Sequence, residues 1–495
     1  MYLMGIDVGT SGCKAAVFDP DGNMVVRAYC EYPLLCPTNG AIELNPNVVW
    51  DAVCFCLEEC RRKCDLLQVV SIAVSSQGEA IVPVDRNGLA LCNAPVTFDS
   101  RNEKEYQWFL NHFDRLEIMQ TTGAPIHPMF SATKILWLKN TKPDIYESAW
   151  KIFCFSDFIA FRLGSKPCME YSLASRTLLF DIHKKEWSQR ILQTCGIEQE
   201  KLPQVVPSGT VIGTVSVDMV NRFGLSKSCK IVSGGHDQLC CSVGAGVLQS
   251  GEIMDSLGTT ESMVCVNPNL VLAPAMMENN IPCSVYPVNH LYAYMTFLTN
   301  SGSLLRWLKE NIFCSTDENI YFQYDNYVEK HYQAPSKLFI LPYFSGSGTP
   351  YLDFRAKGMI VGLTLDTDRY QIYKSVLEST CFEEKLNLLN MENSGIVTNE
   401  LRCIGGGARS DVWLQIKADI TGRKVSSLKI SEAGCLGAAI LAGLGCGVFS
   451  SASEAVTRFV KVKKEYYPNL EGQKLYEEKY EQYLTLYPAM KQMKL

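Results

Sequence analysis

The chain has 495 residues, 47% of them hydrophobic and 20% charged, with a net charge of -6. That length suggests roughly two to four domains, and the apolar content suffices for large cores. The charge is spread without long runs, so nothing marks a nucleic-acid or anionic-membrane surface. No window reaches the roughly 18 unbroken apolar residues of a membrane span, and MYLMGIDVGT lacks the basic region and cleavage site of a signal peptide. We therefore expect a soluble, cytoplasmic protein. Its 21 cysteines, odd in number and without a leader, read as reduced thiols.

The first elements alternate strand and turn over Tyr2–Val8, Lys14–Asp19 and Met24–Glu31, with Asp21-Gly22 before the third strand. Asn45-Pro46 opens a helix, Asn as cap and Pro at the first position. Cys56, Cys60 and Cys64 recur every fourth residue in it and read as a buried apolar stripe rather than a metal site. Val69–Val74 is a buried strand ending in Ser75-Ser76-Gln77-Gly78-Glu79, and ligands gather at such strand ends in α/β sheets. Residues 101–225 carry helix signals and aromatics. Lys230–Gly234 is another buried strand, ending in Gly234-Gly235-His236-Asp237-Gln238 before a helix of small residues. A domain boundary is expected near residue 247, giving domains 1–247 and 248–495. The second half holds a strand at Leu401–Ile404, a glycine turn at 405–407, and helices over Ser410–Thr421, Ala433–Cys446 and 470–485.

One phrase occurs twice. Asp7-Val-Gly9-Thr10-Ser11-Gly12 and Asp255-Ser-Leu-Gly258-Thr259-Thr260 each join two apolar runs, as strand, Gly-Thr turn and strand. Glycine permits close backbone approach, and hydroxyls with free N–H groups hold phosphate oxygens. Two such turns across a cleft would grip a nucleotide triphosphate from both sides, with Thr10, Ser11 and Lys14 on one and Gly258, Thr259 and Thr260 on the other. Asp7, at a strand end, suits Mg²⁺. The alternative for either turn is an ordinary hairpin. Asp237 is the candidate general base, since phosphoryl transfer to an alcohol needs a group to take the hydroxyl proton; helix capping is compatible with that role. His236 reads as a packed histidine. The glycines ahead of Ser410 lack GxGxxG spacing; they read equally as a flat surface for adenine or ribose and as a tight strand-to-helix connection. Gln77, Glu79, Asp99 and Arg101 supply paired donors and acceptors for a polyol, with a Glu79–Arg101 salt bridge as the structural alternative.

In order, DVGTSGCKA, SSQGE, TFDSR, GGHDQ, DSLGTTES, GGGARSDVWLQIKADITGR and EAGCLGAAILAG resemble the FGGY carbohydrate kinases, from residue 1 to about 450. The resemblance implies an α/β fold of two ribonuclease H-like domains of the actin, Hsp70 and hexokinase type, with ATP and Mg²⁺ in the cleft between them. It implies Asp237 as catalytic base, nucleotide contacts at Gly302, Gly406, Gly407 and Asp411, and sugar contacts at Gln77, Gly78, Glu79, Asp99, Asp237 and Gln238. A homodimer is an expectation from the same source. SSQGE and GGHDQLC are most similar to the L-fuculose kinase-like subgroup, while TGAPIHPM is similar to gluconate kinases. Glu79 would repel an acidic acceptor unless Arg101 compensated, so a neutral deoxy-ketose or ketopentose is expected, with xylulose and gluconate as alternatives. A chaperone-like ATPase or a silent sugar sensor is the rival class; residues beyond 450 are too few for a client domain, and the retained transfer apparatus counts against a sensor.

Overall fold

A computed structural model describes residues 1–38 and 40–493. The first sheet is built from β1 (Tyr2–Val8), β2 (Gly12–Phe18) and β3 (Met24–Glu31), followed by helix α1 (Pro46–Lys63), then β4 (Val69–Ser76), β5 (Val211–Thr214) and β6 (Lys230–His236). Its strand order is β5-β6-β4-β1-β2-β3. β1 runs antiparallel to β2 but parallel to β4, and β4 is parallel to β6. Helix α2 (Asp237–Gly244) leaves the end of β6.

The second sheet repeats the plan. β7 (Gly251–Leu257), β8 (Glu261–Asn267), β9 (Cys283–Val285) and β10 (Tyr292–Leu298) precede the long helix α3 (Arg369–Asn393). Then come β11 (Thr398–Gly405), α4 (Asp411–Thr421), β12 (Lys424–Leu428), α5 (Ala433–Gly445), β13 (Val462–Tyr466) and α6 (Leu470–Tyr483). The order is β9-β10-β8-β7-β11-β12-β13, with β7 antiparallel to β8 and parallel to β11. Without β5 in the first sheet and without β9 and β13 in the second, both sheets read third-second-first-fourth-fifth in the order of their remaining strands. The duplicated turns thus sit at equivalent hairpins of two equivalent sheets.

Local expectations and structure agree closely, because strong signals mark each element. Asn45 caps α1, its side chain accepting from Asn47 N. Cys56 and Cys60 are buried against β2, Cys60 donating to Ala15 O, while Cys64 is the half-buried cap residue at the helix end. All 21 cysteines are free thiols. Strands β4, β6 and β11 run a residue or more past the apolar segments that announced them, because polar residues at their ends continue the ladder.

Packing does not follow chain order. Helix α5, from the second half, lies on the first sheet: a Cβ added at Gly5 of β1 would sit 1.8 Å from Cys435 O. Helices α2 and α5 cross backbone to backbone, since a Cβ at Gly437 would lie 1.9 Å from Cys240 O and one at Gly244 2.1 Å from Ala433 O. A boundary drawn near residue 247 divides the chain but not the packing, because the helix after it in space belongs to residues 433–445. No helix among the described residues is long and apolar enough to cross a membrane.

Candidate active site

The first group of candidate residues meets where β1, β4 and β6 end. Asp7 pairs in register with Ser75 of β4, whose hydroxyl donates to Asp7 Oδ1 at 2.9 Å. Burial pushes the Asp7 carboxyl above its ordinary range, against the opposing pull of Ser75 and Lys14. Lys14 is 2.9 Å from Glu432, which also binds Arg27. Gly434, two residues on, abuts the Asp7 carboxylate closely enough that a Cβ there would lie 2.8 Å from Oδ2. The N-terminus of α5 therefore closes over the first Gly-Thr turn from the other half of the chain. The sequence offered a signal for Glu432, the first residue of EAGCLG, but no partner for it.

Asp237 starts α2 at its first helical position, with His236 as the capping residue. Its Oδ1 accepts from Gln238 N at 2.6 Å, and its side chain remains 23% exposed. Burial and then the charge of Asp7 push its carboxyl up to about 8. Two carboxylates in one cleft, with the nearest lysine already held by Glu432, are a donor set that fits a divalent cation. His236 is buried and uncharged, its pKa driven down to about 4 by burial and then by Arg176. Its N–H donates to Ser172 Oγ, and Ser172 in turn donates to Glu170. That chain holds the strand end immediately before Asp237.

Gln77 donates from Nε2 to Gly9 O at 3.2 Å, while its Oε1 is buried without a partner. Gln238 Oε1 and His236 Nδ1 are likewise buried and unpartnered among the described residues. Buried polar atoms are almost always satisfied, and three unmet ones lie beside Asp237. Glu79 adopts φ 64°, a left-handed conformation costly for a residue with a side chain. Gly78 precedes it because nothing larger fits: a Cβ would stand 2.7 Å from His236 Cδ2. Replacing Gly78 with Ala should displace His236 and destabilise the fold by roughly 1–3 kcal/mol, the range for overpacking, readable as a lowered Tm together with weaker acceptor binding.

Glu79 does not pair with Arg101. It is held by Arg176, whose Nε lies 2.5 Å away, and by Thr97 Oγ1 at 2.8 Å. Burial pushes the Glu79 carboxyl up, but Arg176, His236 and Lys134 outweigh it and hold it below its ordinary value. Arg101 instead joins Asp99 and Glu43, at 2.6 Å from each, and lies over Trp137. Asp99 also accepts from Ile42 N. Its carboxylate is thus occupied by protein groups and is buried. Arg176 and Lys134, which carry the cationic charge here, stood in no motif the sequence singled out.

The second group gathers at β7, β8 and β11. Gly258, Thr259 and Thr260 are exposed, and Gly302 N and Ser303 N bind Gly258 O and Thr259 O. A Cβ at Gly302 would strike Gly258 O at 2.5 Å, which explains glycine there. Gly406 is exposed with open space beside it, whereas Gly407 packs on Trp413 and Leu257. Asp411 is engaged by Tyr466 OH at 2.7 Å and Lys464 at 2.6 Å.

The two Asp residues of the repeat differ. Asp7 lines the cleft, but Asp255 is completely buried with Glu261 and Glu384 around Lys417. Lys417 lies 2.5 Å from Asp255 and 2.6 Å from Glu261, and also binds Glu384. Ser301 donates to Glu261 at 2.6 Å. The second Gly-Thr turn is therefore braced at both ends by carboxylates tied to one lysine on α4.

A family model for the N-terminal domain of FGGY carbohydrate kinases matches residues 2–244, and one for the C-terminal domain matches residues 254–446. The chain belongs to the FGGY family of carbohydrate kinases. It is 28% identical over 494 residues to a xylulose kinase of Staphylococcus epidermidis, covering 99% of this chain and 97% of that one. It is 29% identical over 482 residues to a glycerol kinase of Saccharolobus islandicus, covering 96% and 93%. A solved xylulose kinase from Lactobacillus acidophilus superposes with a TM-score of 0.90 at 25% identity, covering 99% of this chain and 98% of that one. The FGGY kinase of this chain is accordingly a phosphotransferase of the α/β class with two sheet-containing halves.

Proposed function

We propose that this FGGY kinase transfers the γ-phosphoryl group of ATP to a primary hydroxyl of a small neutral ketose. The observation that carries the reading is the set of three buried unpartnered polar atoms beside Asp237, from Gln77, His236 and Gln238. Xylulose kinases among the relatives favour a ketopentose over the L-fuculose that SSQGE and GGHDQLC point to. The Glu79–Arg176 pair favours a neutral acceptor, because it is internally balanced.

In this reading Asp237 takes the acceptor proton as the new P–O bond forms. Gln77, Gln238 and the Glu79 region orient the acceptor. Thr10, Ser11, Lys14 and Gly258 to Thr260 bind phosphate oxygens, and Gly302, Gly406, Gly407 and Asp411 border the nucleoside. Asp7 would hold Mg²⁺, which supplies charge neutralisation at the transferring group. Closure of the halves excludes water and limits ATP hydrolysis.

A coupled ADP-release assay tests this against D-xylulose, L-xylulose, D-ribulose, L-fuculose, L-rhamnulose, glycerol and D-gluconate. A ketopentose should give the highest kcat/KM. Turnover of gluconate alone would remove the neutral-acceptor reading, and ATP binding without ADP release for any acceptor would favour a sensor.

A further inference from the structure

We propose that Arg176 and Thr296 form a distal acceptor subsite, contributed by the two halves of the chain, that binds the uncharged oxygen-bearing end of the sugar remote from the transferring hydroxyl. This rests on the kinase reading above. Both residues line one cavity together with His127, Phe130 and Met295. Arg176 comes from the first half and Thr296 from β10 of the second sheet.

The Arg176 side chain is only 5% exposed. Its Nε and one terminal nitrogen bind Glu79, and its guanidinium lies 4.9 Å above the Phe130 ring. The remaining nitrogen, NH1, is buried without a partner among the described residues. Thr296 is completely buried and its hydroxyl is equally unpartnered. Two such groups from separate halves, opening on one cavity, are costly to leave unmet. In the proposed subsite the oxygens of the bound sugar end meet them.

The donor set indicates the ligand's chemistry. Arg176 NH1 only donates, and a hydroxyl both donates and accepts. His127 accepts from Met129 N through Nδ1, and burial followed by Lys134 and Arg176 drives its pKa down to about 4, so the neutral ring carries its proton on Nε2. Such a set suits a hydroxyl or carbonyl oxygen. An anion would find the Arg176 charge already paired with Glu79. Gly78 links the subsite to the reacting end: the His236 ring and the Arg176 stem both flank it, and His236 Nδ1 lies 3.4 Å from Asp237 Oδ1. An acceptor reaching from Asp237 to Thr296 contacts both halves at once, which ties acceptor length to closure.

Thr296→Val keeps the side chain's shape and removes the hydroxyl, and Arg176→Lys keeps a cation beside Glu79 while removing NH1. Each should raise KM for the preferred ketose by about tenfold, exceeding any change in kcat, as loss of a hydrogen bond to bound substrate does. Calorimetric titration of the ketose without nucleotide should show a matching rise in Kd, with melting temperature reported alongside. Unchanged KM and Kd in Thr296→Val, or a fall in kcat and Tm with KM retained, would overturn the subsite. Wild-type turnover of glycerol but no ketose would also overturn it while leaving the kinase reading intact. Absence of ADP release with every acceptor would instead strike the kinase reading.

Discussion

Asp237→Asn should lower kcat by about 10²- to 10⁴-fold, the usual contribution of a positioned general base, while the protein folds and still binds ATP. Asparagine keeps the size of the side chain and an oxygen for Gln238 N, so the change isolates the proton acceptor. Burial and Asp7 raise the carboxyl to about 8, and two consequences follow. First, kcat/KM of the wild type should climb with pH as Asp237 ionises, and this limb should vanish in the variant. Second, an acid whose folded pKa lies above its unfolded value contributes stability below the unfolded pKa and loses it as pH rises. The variant should thus melt no lower than the wild type at pH 8. Wild-type turnover by Asp237→Asn on the true acceptor would assign the base elsewhere.

Lys417→Met should be the most destabilising single change in the second half, by about 3–5 kcal/mol, the cost of breaking a buried ion pair by removing one partner. It leaves Asp255, Glu261 and Glu384 with no cation, all completely buried. Burial, then Asp255 and Glu261, already push Glu384 well above its ordinary value. Without the lysine all three carboxyls move upward. Acids with raised folded pKa values are tolerated while protonated, so the variant should be more stable near pH 5 than near pH 8. Adding Glu384→Gln should recover part of the loss at pH 8. Melting curves at the two pH values check this, and a variant as stable as the wild type at pH 8 would mean the quartet is not held by the lysine. Since Asp255 and Glu261 bracket Gly258 to Thr260, KM for ATP should rise with the loss.

Element positions were readable because each carried a local cause. Asn45-Pro46 starts α1, Ser410 caps α4 through Trp413 N, and the apolar runs of β1, β4 and β6 are too short and too β-branched for helix. The echo of Asp7-Gly9-Thr10 at Asp255-Gly258-Thr259 identified a duplicated architecture, since a Gly-Thr hairpin joins the first two strands of each sheet. The two aspartates of the phrase nonetheless differ in their surroundings. Asp7 stands two residues before Gly9 and Asp255 three before Gly258, so alternation along the strand does not carry the two carboxylates to the same face, and Asp255 is buried beside Lys417.

Local sequence determined the strands, the helix starts, the two Gly-Thr turns and the glycine at 78 that lets His236 approach. These depend on backbone geometry within a few residues, which residue type controls directly. Only the tertiary structure decided which charges meet: Glu79 with Arg176 rather than Arg101, Lys14 with Glu432, and Lys417 with three carboxylates. It alone laid α5 across the first sheet, through close contacts at Gly5 and Gly437 whose partners lie far away in the chain. Charge pairing and helix crossing are settled by burial and by the cost of leaving a polar group unmet, and neither leaves a periodic mark in the sequence.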